Sequence, residues 1–145
     1  MMGPLDSYLP YLLNRAGARI AASFSEEMRP LGATLQMWRV LAALRERDGQ
    51  RMGELSEKTS IEVSTLTRLV DSMQGKELVA RRRAADDARA VLLHLAPAGR
   101  RLTQRILPIA ERYEEVALAD FSAAEAEGLK AALRRLYANM EELNR

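Results

Sequence analysis

The stretch VSTLTRLVDSMQGKELVARRRAADDARAVLLHLAP, residues 63–97, changes its hydrophobic period halfway along. In its first half, apolar residues follow the spacing i, i+3, i+4, i+7 of a helix with one buried face; they are Leu66, Leu69, Val70 and Met73. After Gly75 the period falls to about two over 78–83 and 89–95, which predicts two strands. The polar segment 84–88 between them predicts a hairpin with an exposed basic tip.

A second short helical pattern lies directly before this stretch. Residues 53–58 carry Leu55 as an apolar anchor, and the polar segment 59–62 connects them to the helix at 63–74. Two short helices with a tight connection, the second of which exposes a polar face, predict a helix-turn-helix.

Helical periodicity also covers the N-terminal part of the chain. Apolar residues three or four apart predict a first helix from Leu9 to Met28, with Asp6 or Ser7 as its N-cap. Thr34 is suited to cap a second helix.

Two further helices are expected after the hairpin. Pro97 suits the first turn of a long helix to about Ala119, and Pro108 inside it predicts a bend. Ser122 and Glu125 have the spacing of a capping box and predict the start of the last helix. The predicted order is therefore four helices, a hairpin and two helices.

Composition excludes several classes of protein. The chain has 145 residues, no cysteine and one histidine, His94. Disulfides, thiol nucleophiles, a His-based catalytic triad within one chain and an HExxH zinc site are therefore excluded. No P-loop, glycine-rich dinucleotide turn or metal cluster is found, so we expect no enzyme activity, no cofactor and no metal. No apolar stretch is long enough to cross a bilayer, and we expect a soluble, cytoplasmic protein.

Basic charge is concentrated in one region. The net charge is only +2, but residues 76–105 carry eight basic and three acidic side chains, whereas residues 106–145 carry five and eight. A basic block of this kind indicates an anionic partner that contacts one region of the chain.

The helix at 63–74 directs polar side chains away from its apolar face. With the apolar residues inward, Ser64, Arg68 and Asp71 lie on the opposite face, flanked by Thr65 and Thr67. Hydroxyls and an arginine can contact base edges, and the free N–H groups of a helix start favour phosphate oxygens. Taken alone, such a face is more often a solvated surface.

Asp71 lies on a face that DNA phosphates would repel. We therefore expect its carboxylate to pair with a neighbouring arginine, or else to accept from a cytosine amino group.

The hairpin adds further positive charge to the helix-turn-helix. Its arginines are Arg81, Arg82, Arg83 and Arg89. Arginines at a strand end often serve only to keep a sheet edge soluble. Here they follow directly after the polar helix, so the hairpin tip is expected to enter a DNA minor groove.

Residues 50–102 resemble the winged helix-turn-helix of the MarR family of bacterial transcriptional regulators. Two segments carry the resemblance: STLTRLVDSMQGKELVAR, and Asp87-Ala88-Arg89 with Leu93, which fits the family pattern D-x-R-x-x-x-L. Two departures are Ala96, where a threonine is common, and Glu77, where a glycine is frequent.

The resemblance implies a mainly α fold with a small β-hairpin, in which a winged helix-turn-helix is joined to a helical dimerisation region. We expect a single domain over 1–145, with the winged module at 34–96 and dimerisation helices at 1–33 and 97–145. By the same resemblance, the residues expected to contact the DNA major groove are Ser64, Thr65, Thr67 and Arg68. Arg89 would enter the minor groove, and Asp87 would orient it by a charge-assisted hydrogen bond.

Apolar residues at both ends of the chain exceed what one buried stripe needs. We expect a core shared between two subunits, formed by Leu5, Tyr8, Leu9, Leu12, Leu136, Tyr137, Met140 and Leu143. The alternative is that these side chains pack only within one chain.

Many members of the MarR family, which this sequence resembles, bind small aromatic or anionic molecules in a crevice beside the DNA-binding module. The corresponding residues are Arg15, Arg19, Phe24, Met37, Trp38, His94 and Tyr113. Core packing or solvation is the competing interpretation for each of them, and His94 most simply has a backbone partner.

These observations together predict a homodimeric, sequence-specific regulator of transcription. It would bind double-stranded DNA at an inverted-repeat promoter operator, most often as a repressor, and release it on binding a small aromatic or anionic effector. The alternative is a winged-helix module that binds protein without DNA specificity.

Overall fold

The computed structural model describes residues 3–144. The first two residues of the predicted region 1–33 and the last residue of 97–145 lie outside this part. The elements are α1 Leu9–Met28, α2 Leu35–Glu46, α3 Met52–Thr59, α4 Val63–Gly75, β1 Val79–Arg83, β2 Val91–Leu95, α5 Pro97–Ala117 and α6 Ala123–Met140. Short 3₁₀ turns occur at Leu5–Ser7, Arg29–Leu31 and Glu141–Asn144. The predicted order of elements and the mainly α fold class are confirmed.

Two of the predicted helix starts have the expected caps. The Thr34 hydroxyl accepts a hydrogen bond from the Met37 N–H at 3.2 Å. The Ser122 hydroxyl accepts from the Glu125 N–H at 3.1 Å, and the Glu125 carboxylate accepts from the Ser122 N–H at 3.0 Å. These contacts pair helix-end N–H groups that would otherwise lack intrahelical acceptors.

The predicted cap of the first helix is wrong. Asp6 and Ser7 lie within a 3₁₀ turn, and the residue that precedes α1 is Tyr8, which forms no side-chain cap hydrogen bond. Pro10 occupies the first turn of α1. Because proline has no N–H to be capped and its backbone is already suited to a helix start, α1 begins without a side-chain acceptor.

By its packing, the chain divides into two compact units, and the boundary between them falls after Glu111. The first unit has one core to which α1 to α5 all contribute. Its largest fully buried side chains include Met28, Leu41, Leu44, Leu55, Leu66, Met73 and Ile106. α4 contributes the predicted apolar face, with Leu66, Val70 and Met73 all 0% exposed.

The second unit contains the end of α5 and all of α6. None of the described residues of α6 is buried. Lys130 lies 3.4 Å from Glu114, and this ion pair links the two helices. α5 itself continues without a break through Pro108.

The hairpin is antiparallel and is extended by a third segment that the sequence did not predict. Val79 pairs with Leu95, and Arg83 pairs with Val91. The Gln50 N–H donates to the Leu93 carbonyl at 3.1 Å, and the Leu93 N–H donates back at 2.7 Å. The buried Gln50 side chain also donates to carbonyls at the end of α2, so the hairpin is attached to that helix.

The entry to β1 has a backbone conformation that favours glycine. Glu77 adopts φ 61°, in the left-handed region that side chains other than glycine rarely occupy. This is the position at which the sequence departs from the family's usual glycine. The turn is formed nevertheless, with the Leu78 N–H donating to the Met73 carbonyl at 2.9 Å.

The first turn of α5 approaches the backbone of Leu78, directly before β1, so closely that only glycine fits. A Cβ atom at Gly99 would lie 2.0 Å from the Leu78 carbonyl oxygen. The same oxygen accepts from the Ala96 N–H at 3.0 Å and is therefore held in place.

We expect Gly99→Ala to destabilise the protein by about 1–3 kcal/mol or more, because a backbone atom cannot yield as a side chain can. Gly128→Ala is the matched control, since a Cβ there meets nothing within 4 Å and alanine is the better helix former. Urea unfolding of the parent and of both variants gives the free energy of unfolding of each protein. Equal stabilities would contradict the packing described for Gly99.

Candidate nucleic-acid interface

α4 directs three of its four predicted base-contacting side chains to solvent. Ser64, Thr65 and Arg68 are exposed, on the side of the helix away from Leu66. Thr67 is half-buried, and its hydroxyl donates to the Val63 carbonyl at 2.8 Å. The Thr67 hydroxyl can therefore accept from a partner, but its proton is already used within the helix.

The expected ion pair of Asp71 is present. Its carboxylate lies 2.7 Å from the Arg81 guanidinium, which also donates to the Gln74 side chain. The pair connects the last turns of α4 to β1. It neutralises the acidic residue on the exposed face of α4, and it uses part of the donor capacity of Arg81.

The three remaining hairpin arginines are all exposed, and one of them, Arg83, also holds the loop. The Arg83 guanidinium donates to the Ala88 carbonyl at 2.6 Å and so closes the loop. The Arg82 and Arg89 side chains are exposed.

Asp87 contacts Arg89 in a different way from the one expected. Its carboxylate accepts from the Arg89 backbone N–H at 3.0 Å, and its carbonyl accepts from the Ala90 N–H at 3.1 Å. An aspartate that accepts from the N–H two residues later forms an Asx turn, which fixes the backbone. Asp87 thus positions the Arg89 backbone, and the Arg89 guanidinium is not needed for this bond.

Asp48 is the anchor of the hairpin base, although its sequence context, Asp48-Gly49, indicates only a turn. One carboxylate oxygen accepts from the Leu95 N–H at 2.8 Å. The other lies 3.3 Å from His94 Nδ1 and 3.2 Å from the Arg100 guanidinium. The short-range signal in the sequence, Asp-Gly, indicates a turn and gives no information on partners 46 to 52 residues away.

The surroundings of Asp48 favour its charged form. Burial tends to raise the pKa of the Asp48 carboxyl, but the Leu95 N–H, the His94 ring and the Arg100 charge outweigh it and lower the pKa below its usual value. Gly49 supports the same arrangement, because a Cβ there would lie 2.9 Å from His94 Cε1.

The residues predicted for an effector pocket fall in several environments. Phe24 and Trp38 meet edge to face with ring centres 6.1 Å apart. Met37 is buried. Arg15 donates to the Tyr11 hydroxyl at 3.2 Å. Arg19 is exposed, Tyr113 is half-buried in the second unit, and His94 contacts Asp48.

Most of the residues predicted for a shared core are exposed in the single chain. Tyr8 and Leu136 are half-buried. The exposed ones are Leu5, Leu9, Leu12, Tyr137, Met140 and Leu143.

Two kinds of feature are absent from residues 3–144. In this range no helix is both long enough and apolar enough to span a membrane. Nor does this range bring together three or more histidine, aspartate or glutamate side chains that could hold a metal ion.

Comparison with known proteins connects this architecture to a family. The MarR family model matches residues 33–91. The uncharacterized HTH-type transcriptional regulator YsmB of Bacillus subtilis (strain 168) is 34% identical over 98 residues, which are 68% of this chain and 67% of YsmB. These matched proteins are transcriptional regulators and not enzymes.

Solved structures agree over nearly the whole chain. A MarR family transcriptional regulator from Silicibacter pomeroyi has a TM-score of 0.85 and 32% identity, over 94% of this chain and 92% of that one. The transcriptional repressor CouR, bound to a 23-mer DNA duplex, has a TM-score of 0.82 and 25% identity, over 94% and 97%. BpsR of Bordetella bronchiseptica, whose DNA binding is regulated by 6-hydroxynicotinic acid, has a TM-score of 0.79 and 26% identity, over 89% and 98%.

The lowered pKa of Asp48 predicts a pH-dependent contribution to stability. An aspartate with a depressed pKa stabilises the fold above its unfolded-state pKa of 3.8, and this contribution is lost as the pH falls through the folded-state pKa. We expect Asp48→Asn to be less stable than the parent at neutral pH, with a difference that narrows in acid. Urea unfolding at a series of pH values gives the free energy of unfolding of both proteins. A stability difference that does not change with pH would contradict the prediction.

Proposed function

Because this chain belongs to the MarR family of transcriptional regulators, we propose that it binds an inverted-repeat operator as a homodimer and represses transcription from that promoter. In each subunit, α4 lies in the major groove and the β1–β2 hairpin reaches the adjacent minor groove. A small aromatic or anionic effector releases the dimer from DNA.

One observation carries the DNA-binding proposal. The first two turns of α4 expose Ser64, Thr65 and Arg68 together, while the hairpin exposes Arg89 on a backbone fixed by Asp87. Hydroxyl and guanidinium groups on a helix suit base edges in the major groove, and an exposed arginine suits the narrow minor groove. The likeness to CouR, a repressor bound to a DNA duplex, supports the same use of these elements.

The Asp71–Arg81 pair limits which arginines contribute. Because the Arg81 guanidinium already contacts Asp71 and Gln74, its role is to hold α4 against β1. Arg83 holds the hairpin loop in the same way. Base and phosphate contacts therefore rest mainly on Arg68, Arg82 and Arg89.

The homodimer is supported by the apolar surface of α6. This helix buries no described residue, yet it carries Leu129, Leu133 and Met140 along one side, each at least 39% exposed. An apolar stripe of this length on a single chain is typical of a protein interface. A two-fold symmetric partner would cover this stripe.

The effector proposal is supported by the BpsR comparison, because that protein's DNA binding is regulated by a small aromatic acid. The chain has no cysteine, so a thiol cannot provide the response. A ligand that favours one arrangement of the two α4 helices over another would shift DNA affinity.

Selection of bound duplexes from a random pool tests the proposal. We expect the full chain to enrich an inverted repeat with half-sites about one helical turn, ~34 Å, apart. Enrichment of no sequence, or of a single unrepeated site, would contradict a dimer that uses two α4 helices.

We expect Arg89→Ala to weaken binding to the selected duplex by about 1–3 kcal/mol, because it removes the exposed guanidinium of the hairpin. Arg134→Ala, a matched change at an exposed arginine of α6, should leave the affinity unchanged. Titrations at one fixed salt concentration make the comparison. Equal affinities of the two variants for the duplex would show that Arg89 does not contribute to DNA binding.

We expect Met140→Asp to shift the protein from dimer to monomer, because a charge placed at a buried apolar contact is strongly unfavourable. Ala131→Asp introduces the same charge on the opposite, exposed side of α6 and should leave the dimer intact. Sedimentation equilibrium gives the molecular mass of each. A Met140 variant that remains dimeric would contradict this interface.

A further inference from the structure

Two large apolar side chains are exposed in the part of the described chain that lies between Ile20 and Val116. They are Val63, which is 50% exposed, and Val91, which is 46% exposed. Val63 is the first residue of α4 and Val91 is the first residue of β2. A single exposed valine is ordinary, but these two both belong to the elements that form the candidate nucleic-acid interface.

We propose that Val63 determines part of the operator sequence by packing against the C5 methyl group of a thymine in the major groove. This contact adds an apolar side chain to the polar ones of Ser64, Thr65 and Arg68. The inference rests on the proposed function and names a feature of the DNA that α4 recognises. Each half-site has a thymine beneath the start of α4.

Val63 lies beside the polar side chains of α4 that are proposed to contact DNA. Residues four apart lie one above the other on a helix, so Ser64 and Arg68 form one row. Val63 and Thr67 form the adjacent row, in which Thr67 is half-buried and its hydroxyl donates to the Val63 carbonyl at 2.8 Å. In a helix-turn-helix, the N-terminal residues of the second helix contact base edges. Val63 therefore reaches the bases together with Ser64.

The charge that precedes Val63 disfavours a phosphate at this end of α4. Glu62 is exposed and forms no side-chain cap hydrogen bond. Its carboxylate repels the phosphate oxygens that the free N–H groups of a helix start otherwise attract. Because base edges carry no net charge, they suit the start of α4 better than the DNA backbone does.

Thymine is the base that best suits an apolar side chain. In the major groove, guanine and adenine present hydrogen-bonding atoms, and a valine packed over these atoms would leave them without partners. Thymine presents its C5 methyl group, and contact with Val63 removes both apolar groups from water. Cytosine has no such methyl group. Val63 therefore favours thymine over each of the other bases.

Replacement of thymine by deoxyuridine tests this contact, because it removes the C5 methyl group and leaves every hydrogen-bonding atom of the base pair in place. Each thymine of the selected duplex is replaced in turn, and binding is titrated at one fixed salt concentration. We expect one position in each half-site at which uracil weakens binding by about fourfold, the effect of one buried methyl group. A duplex in which no uracil replacement weakens binding would overturn the proposal.

Variants assign the methyl effect to one side chain. In Val63→Ala, the same uracil replacement should change the affinity by less than about twofold, because most of the apolar contact is gone. This variant should fold as the parent does, since Val63 is half exposed and alanine is the better helix former.

Two matched variants provide the controls. Val91→Ala makes the same change at the exposed valine of the hairpin, and Thr65→Ser removes one methyl group from an exposed neighbour on α4. Both should keep the fourfold loss that uracil causes in the parent. A loss that persists in Val63→Ala, or that disappears in Thr65→Ser instead, would assign the methyl contact to another residue and overturn the proposal.

The outcomes distinguish this inference from the function on which it rests. A parent protein that selects an inverted repeat, but whose affinity is the same for every uracil duplex, would contradict only the role of Val63. A parent protein that selects no duplex would contradict the operator proposal, and the role of Val63 would fall with it.

Discussion

The burial of one side of α4 is the constraint on which the rest of the molecule depends. Leu66, Val70 and Met73 are fully buried, and their positions fix the rotation of the helix about its axis. Each fully buried side chain of this size contributes about 1.5–3 kcal/mol, so a rotated helix would lose several such contributions. Ser64, Thr65 and Arg68 consequently point to solvent, and no further contact is needed to orient this side of the helix.

The hairpin is positioned by polar contacts in addition to the burial of Val79, Leu93 and Leu95. Asp48 holds the end of β2, Gln50 pairs with Leu93, and the Asp71–Arg81 pair joins β1 to α4. Three polar contacts thus help to fix a two-stranded sheet, which would be only marginally stable alone. The exposed loop beyond these anchors is closed by local contacts, among them those of Arg83 and Asp87.

Local pattern sufficed to predict the elements, the Thr34 and Ser122 caps and the pairing of Asp71, because each depends on residues close in sequence or on a simple charge argument. It could not predict the contacts of Asp48, whose partners are 46 to 52 residues away. It also missed the close approach of Gly99 to Leu78, since a helix pattern gives no distance to a neighbouring strand.

Directed cleavage of DNA tests the orientation of α4 most directly. The chain has no cysteine, so Ser72→Cys on the exposed face of α4 can carry a single iron chelate. The account predicts cleavage of the selected duplex in two clusters about one helical turn, ~34 Å, apart. The same label at Ala131→Cys on α6 should give no focused cleavage. A single cluster, or equal cleavage from both labelled positions, would contradict an α4 that faces the major groove in each of two subunits.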